Sequence, residues 1–232
     1  MKKQHERTAM LLGEQGVEKL NRAHVAVFGV GGVGGYVVEA LARAGVGALT
    51  LCDHDEVRES NINRQIIALH STVGIKKVGA ARARIADIDP DIRVVTHDTF
   101  FLPENADTFD FSAYDYVVDA VDTVAAKLEL YRRAKAAGVP VISAMGAGNK
   151  LDPTAFRVSD IHKTEGCPLA RAVRVACRRE GIKNIKVVYS TEEPKGAVVA
   201  DNGRYAPGSV SFVPSAMGLI IASEVVKDLC DK

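Results

Sequence analysis

The chain predicts an α/β fold, doubly wound, in which a mainly parallel sheet is flanked by helices, with a C-terminal helix and mixed strands. Three observations predict it. Short apolar runs alternate with helical patterns as far as residue 150. The first run, Val25 to Phe28, empties into glycines and then directly into a helix, HVAVFGVGGVGG at 24–35. Two later runs end at carboxylates, Asp53 and Asp122, where open α/β sheets hold their ligands.

Composition bounds the rest. The 232 residues are 47% hydrophobic and 25% charged, enough for a real core, and are read as a single domain over 1–232. The net charge of +1 excludes a polyelectrolyte, so a nucleic-acid partner must meet a local patch. Cys52, Cys167, Cys177 and Cys230 form no C-x-x-C pair, which excludes zinc-ribbon spacing and suits a reducing cytoplasm. MKKQHERTAM has no apolar core of signal-peptide length. The apolar run near Phe212 to Ala222 is broken by Pro214 and Ser215 and falls short of the roughly 20 residues of a membrane span.

In order, residues 8–22 read as a helix with Met10, Leu11, Leu12, Val17 and Leu20 on its apolar side. The first strand and the glycine loop follow. Gly29, Gly31 and Gly34 satisfy G-x-G-x-x-G, and Gly32 adds a further bare position, giving a Rossmann-like phosphate cradle at a helix N-terminus. That helix runs to Ala44 and ends at Gly45 and Gly47. The second strand, Ala48 to Cys52, stops at Asp53, placed to accept bonds from a ribose. Up to here an NAD enzyme fits equally well.

The next segment favours a more highly charged ligand. DHDEVRESNINRQ, 53–65, is polar and gathers Asn61, Asn63, Arg64 and Gln65, and Gly74, Lys76 and Lys77 then open a helix. A pyrophosphate is held mostly by backbone N–H groups, so added Arg and Lys at the same edge suggest a triphosphate. For Lys76 alone a basic surface turn is the better reading. The helix 78–89 stops before Pro90. A third strand is Arg93 to His97, 102–111 is loop or short helix, and a fourth strand runs from Tyr116 to Val121. Asp119 and Asp122 stand at its end. A carboxylate facing phosphates is electrostatically wrong without a cation, so Asp122 is a Mg²⁺ candidate, with an N-cap of helix 123–137 as the alternative.

A fifth strand runs from Val139 to Met145, and Ala155 to Ser159 reads as another. Residues 164–168 read as a mobile loop. The helix 169–180 carries Arg171, Arg174 and Arg178 on one face. From Arg157 to Lys195 there are nine Lys and Arg against five Asp and Glu. The arginines are candidates for nucleic-acid phosphates, against a plain solvated face. Cys167, before Pro168 in the loop, could be a nucleophile, but a structural or incidental role is the better reading because spacing assigns it no activating neighbour. Residues 185–190 read as a strand, 191–207 as a loop, and Ser215 to Leu229 as an apolar helix completing the core or a dimer face.

Arg7, GVGGVG at 29–34, D-x-D at 53–55, SNINRQ at 60–65, GIKK at 74–77 and DAVD at 119–122 occur in one order that resembles the ubiquitin-activating-like adenylating enzymes. The resemblance implies an ATP site on a homodimer. Asp53 would hold the ribose, Asn61, Arg64 and Lys77 the phosphates and Asp122 Mg²⁺, with Asp55 and Gln65 in the same binding site. Arg7 would reach the active site of the opposite subunit. The implied reaction joins a carboxylate to AMP and releases pyrophosphate. The segments 7–20, 168–174, 186–194 and 208–229 resemble the branch acting on threonylcarbamoyladenosine in tRNA, which is linked to cysteine-desulfurase partners. Three other readings stand beside it. One is an adenylyltransferase for a ubiquitin-like sulfur carrier, against which the missing C-x-x-C pairs count. One is an NAD-linked oxidoreductase, which leaves Arg64, Lys77 and Asp122 without a role. The last is a non-catalytic relative, which should be missing one of those three.

Overall fold

The structure, a computed structural model, describes residues 2–195, 199–201 and 204–231. Seven strands form one sheet: β1 (His24–Phe28), β2 (Ala48–Cys52), β3 (Arg93–His97), β4 (Tyr116–Asp119), β5 (Val141–Ala144), β6 (Phe156–Asp160) and β7 (Lys186–Ser190). Their spatial order is β3-β2-β1-β4-β5-β7-β6. Every neighbouring pair is parallel except β6 and β7.

β1 is buried at all five positions, so both of its faces must be covered. Val25 and Val27 enter one core and Ala26 and Phe28 the other, as the two-residue period of a strand requires. The first core takes side chains from α1 (Glu6–Arg22), α2 (Gly34–Ala44), α3 (Lys77–Ile88) and α6 (Phe212–Asp231). The second takes them from α4 (Val124–Ala136), α5 (Pro168–Glu180) and the aromatic group Phe28, Phe101, Phe109 and Phe111. Chain order reverses between β1 and β4, with β2 and β3 on one side and β4 and β5 on the other. A crevice therefore opens beyond the carboxyl ends of β1 and β4.

The structure departs from the sequence reading in several places. α1 bends at Gly13 (φ 74°), so Met10 and Leu11 are 81% and 88% exposed while Val17 and Leu20 are buried. β4 ends at Asp119, and 120–122 are irregular, although the Ala120 N–H still donates to the Phe28 carbonyl at 2.8 Å. β5 is likewise shorter than expected. Residues 164–168, expected to be mobile, pack through buried Thr164 and Cys167. The expected loop over 191–207 contains an antiparallel pair, β8 (Val199–Asp201) and β9 (Arg204–Ala206). Residues 196–198 and 202–203 of that loop lie outside the described residues. α6 begins at Phe212, with Pro214 tolerated in its first turn. Among the described residues no helix is long and apolar enough to cross a membrane.

Candidate active site

The glycine loop is forced by close approach. Phe28 pairs with Asp119 across the sheet, which sets Gly29 against Ala120. Gly29 has φ +89°, and a Cβ there would lie 2.6 Å from the Ala120 carbonyl oxygen. A Cβ on Gly34 would lie 1.8 Å from the Gly29 carbonyl oxygen. Only bare backbone lets the first turn of α2 press this closely onto β1 and β4. The glycine loop that leads into α2 consequently opens on the crevice, with Gly29 and Gly31 in its wall.

Six of the expected residues line one cleft there: Gly29, Gly31, Asp53, Asp55, Lys77 and Asp122. Asp53 is buried and shapes the loop. Its Oδ2 accepts the Val30 N–H at 2.7 Å and its Oδ1 the Asp55 N–H at 2.9 Å. Lys77, also buried, donates to Asp55 Oδ2 at 2.7 Å. Burial, the largest single influence, would raise the Asp55 pKa, but the hydrogen bond and charge of Lys77, with His54 and Arg58, together hold the carboxyl below the usual range.

Asn61, Arg64 and Gln65 stand beside the loop and are not part of the cleft lining. Asn61 is buried and accepts the Arg58 N–H at 3.1 Å. Arg64 is half-buried, donates to the Ser60 carbonyl and to Asn63 Oδ1, and has no carboxylate partner among the described residues. Burial lowers its pKa. A Cβ on Gly32 would lie 3.6 Å from the Arg64 side chain, and one on Gly31 3.9 Å from Gln65 Nε2. Gln65 Oε1 is buried with no hydrogen-bond partner. A guanidinium without a carboxylate partner beside a bare glycine loop fits a polyphosphate.

Asp122 is exposed and carries no cation partner among the described residues. Thr123, not Asp122, occupies the N-cap position of α4, so the capping alternative is overturned. A lone hard-oxygen ligand beside a phosphate cradle fits Mg²⁺. The three-ligand group Asp53, His54 and Asp55 fits less well. The Lys77 ammonium already lies 2.7 Å from Asp55 and 4.0 Å from Asp53, so a cation is in place beside that group.

The turn 120–122 also lines a second cavity of about 450 Å³, with Met145, Gly146, Lys150 and Cys167 among its walls. Cys167 is buried and, with Pro168, also lines a third cavity, of about 570 Å³, to which Arg171 and Arg174 contribute. The three candidate arginines are not equivalent. Arg171 and Arg178 are exposed, but Arg174 is half-buried and donates to the Thr164 carbonyl and hydroxyl, both at 2.6 Å. Arg178 borders a different hollow, with His162 and Cys177. Burial pushes the Cys177 thiol up to about 11, which keeps it protonated and inert. Arg7 lies exposed on α1 and lines none of these cavities.

Sequence reasoning missed His54, Thr99, Phe100 and Phe101 in the cleft wall. The phenylalanines follow the carboxyl end of β3, and that position was the available signal. His54 packs edge-on to Phe100, with ring centroids 4.5 Å apart.

Residues 5–232 match the ThiF family. The chain belongs to the ThiF family. Among curated relatives, the tRNA threonylcarbamoyladenosine dehydratase of Bacillus subtilis is 43% identical over 97% of this chain and 94% of its own length. The Escherichia coli protein of the same name is 39% identical over 97% and 92%. A solved structure of the Escherichia coli dehydratase in complex with ATP aligns with a TM-score of 0.89 at 34% identity, covering 98% of this chain and 94% of that one. The doubly wound sheet and C-terminal helix of this ThiF chain are thus shared along nearly the whole length.

Proposed function

We propose that this ThiF-family chain uses ATP to activate the carboxylate of threonylcarbamoyladenosine in tRNA, after which the modified side chain closes on itself with net loss of water. One observation carries the reading. A phosphate-type cleft and a second cavity share the turn 120–122, in a chain whose full-length relatives bear the name of that dehydratase.

A carboxylate is a poor electrophile because its leaving group would be oxide, and ATP supplies the AMP that makes it a mixed anhydride. The protein's part is positioning and charge neutralisation. Asp53, fixed by Val30 and Asp55, keeps lone pairs for ribose hydroxyls. Arg64 and Lys77 oppose the phosphate charge, and Asn61 and Gln65 offer neutral amide N–H donors beside them. Asp122, which lines both cavities, would hold Mg²⁺, which would offset the phosphate charge there.

The assembly proposed is a homodimer of single ThiF domains spanning 1–232, in the cytoplasm. Arg7 supports it, since it shares a short exposed segment with Met10 and Leu11 and has no partner in its own chain among the described residues. Arg171 and Arg178 are the tRNA contacts this reading favours, and a cysteine-desulfurase protein is a further partner implied by the branch.

Nucleoside mass spectrometry tests the reading. tRNA carrying threonylcarbamoyladenosine, incubated with this protein, ATP and Mg²⁺, should lose one water from that nucleoside only when ATP is present. No loss, in protein shown to bind ATP, would transfer the adenylation to a sulfur-carrier protein.

A further inference from the structure

Asp119 closes β4 and is fully buried, as are Lys127, Tyr131 and Ser143 around it. Asp119 Oδ2 accepts from Lys127 Nζ at 3.0 Å, from the Tyr131 hydroxyl at 3.1 Å and from the Ser143 hydroxyl at 2.5 Å. Its other oxygen, Oδ1, accepts the Val121 N–H at 3.2 Å. The Lys127 ammonium also donates to the Ala144 carbonyl at 2.8 Å. One buried cation therefore ties the end of β4 to the end of β5, and through Asp119 fixes the turn that carries Asp122.

A buried pair of this kind is weak evidence for a role in stability. Taking an ammonium and a carboxylate wholly out of water is costly, and apolar replacements of such pairs are often neutral or stabilising. The distinctive contribution is geometric. The two strand ends joined by Lys127 are where the walls of both cavities begin: 120–122 line the two, and Ala144 and Met145 line the second.

We infer that Lys127, acting through Asp119, is a positioning residue that holds the turn 120–122 so that Asp122 meets the metal–nucleotide at a fixed distance from the occupant of the second cavity. The inference rests on the reading of Asp122 as a Mg²⁺ ligand.

Two variants test it. Asp119→Asn combined with Lys127→Met leaves no buried charge unpaired, and Ser143→Ala removes one hydroxyl partner and is the fallback if the double variant does not fold. ATP affinity is titrated with and without Mg²⁺, and kcat and the tRNA KM are measured beside Tm. The double variant should keep its Mg²⁺-free ATP affinity within about twofold, lose the tightening that Mg²⁺ gives, and fall about 10- to 100-fold in kcat with a smaller change in KM. Ser143→Ala should move the same quantities in the same direction by less. Full Mg²⁺ tightening and full kcat in these variants would overturn the inference. So would a parallel loss of Mg²⁺-free affinity and Tm, which marks a role in folding alone. If ATP affinity of the unmodified protein ignored Mg²⁺, the reading of Asp122 would fall and this inference with it, whereas the binding titration needs no tRNA and stands apart from the choice of substrate.

Discussion

The Lys77 ammonium sits 2.7 Å from the Asp55 carboxylate and 4.0 Å from that of Asp53. Its charge is thus balanced before any nucleotide arrives. Lys77→Ala should weaken ATP binding and also lower stability by roughly 1–2 kcal/mol, less than a fully buried pair because the Asp55 side chain is 41% exposed. Calorimetric titration and thermal melting check the two effects separately. An unchanged ATP affinity would remove Lys77 from the phosphate site.

Asp122→Ala should cripple turnover, by about 100-fold or more in kcat if the carboxylate anchors the metal, and lose the Mg²⁺-dependent part of ATP affinity while sparing the Mg²⁺-free affinity. The exposed position of Asp122 predicts little change in Tm. Wild-type turnover would end its assignment.

Arg171→Glu with Arg178→Glu should weaken tRNA binding and flatten its salt dependence, by about 0.7–0.9 in log–log slope for each phosphate no longer neutralised. Arg174→Ala should act differently. Its guanidinium holds Thr164, so the change should loosen the segment before Cys167 and register in hydrogen exchange there. Unaltered tRNA affinity in the double variant would leave α5 a solvated face.

Arg7→Ala should inactivate sites in trans. Mixing it with Asp122→Ala protein should restore part of the activity, because one site of a mixed dimer receives both wild-type residues. No recovery under subunit exchange would place Arg7 outside the site.

His24, at the foot of β1, has its pKa lowered by burial first and by the Arg93 guanidinium second. In the unfolded chain it titrates near its free value, about 6.5. Between the folded pKa and that value the unfolded state binds more protons, so stability is full above about 6.5 and is lost as pH falls below it. His97 shifts in the same direction through burial, so the measurement is a difference. His24→Gln should flatten the stability–pH slope over that window, by at most about 1.4 kcal/mol per pH unit. Denaturant unfolding across pH 5 to 8 checks it, and a slope equal to the parent's would assign the dependence elsewhere.

The parts of this site that were legible in the sequence are local ones. Gly29, Asp53 and Asp122 are written as strand ends and tight turns, and Lys77 as a helix start. Other parts depend on neighbours brought together only by folding. Lys127 interrupts the apolar stripe formed with Leu130, Tyr131 and Ala134, and that interruption is a readable sign of a buried pair. Its partners, however, come from β4 and β5, and nothing local connects them. The orphaned oxygen of Gln65 exists only once the loop has closed over it. Met10 and Leu11 continued a helical apolar pattern, but the positive φ of Gly13 swings them out of the core that Val17 and Leu20 enter.

The turn 120–122 is a wall common to two cavities. Free energies around a closed binding cycle must agree. Any factor by which a nucleotide tightens the grip on a second ligand is therefore the factor by which that ligand tightens the grip on the nucleotide. Any coupling that these three residues carry between the two cavities is thus reciprocal, and whatever strengthens one guest must, in equal measure, be returned by the other.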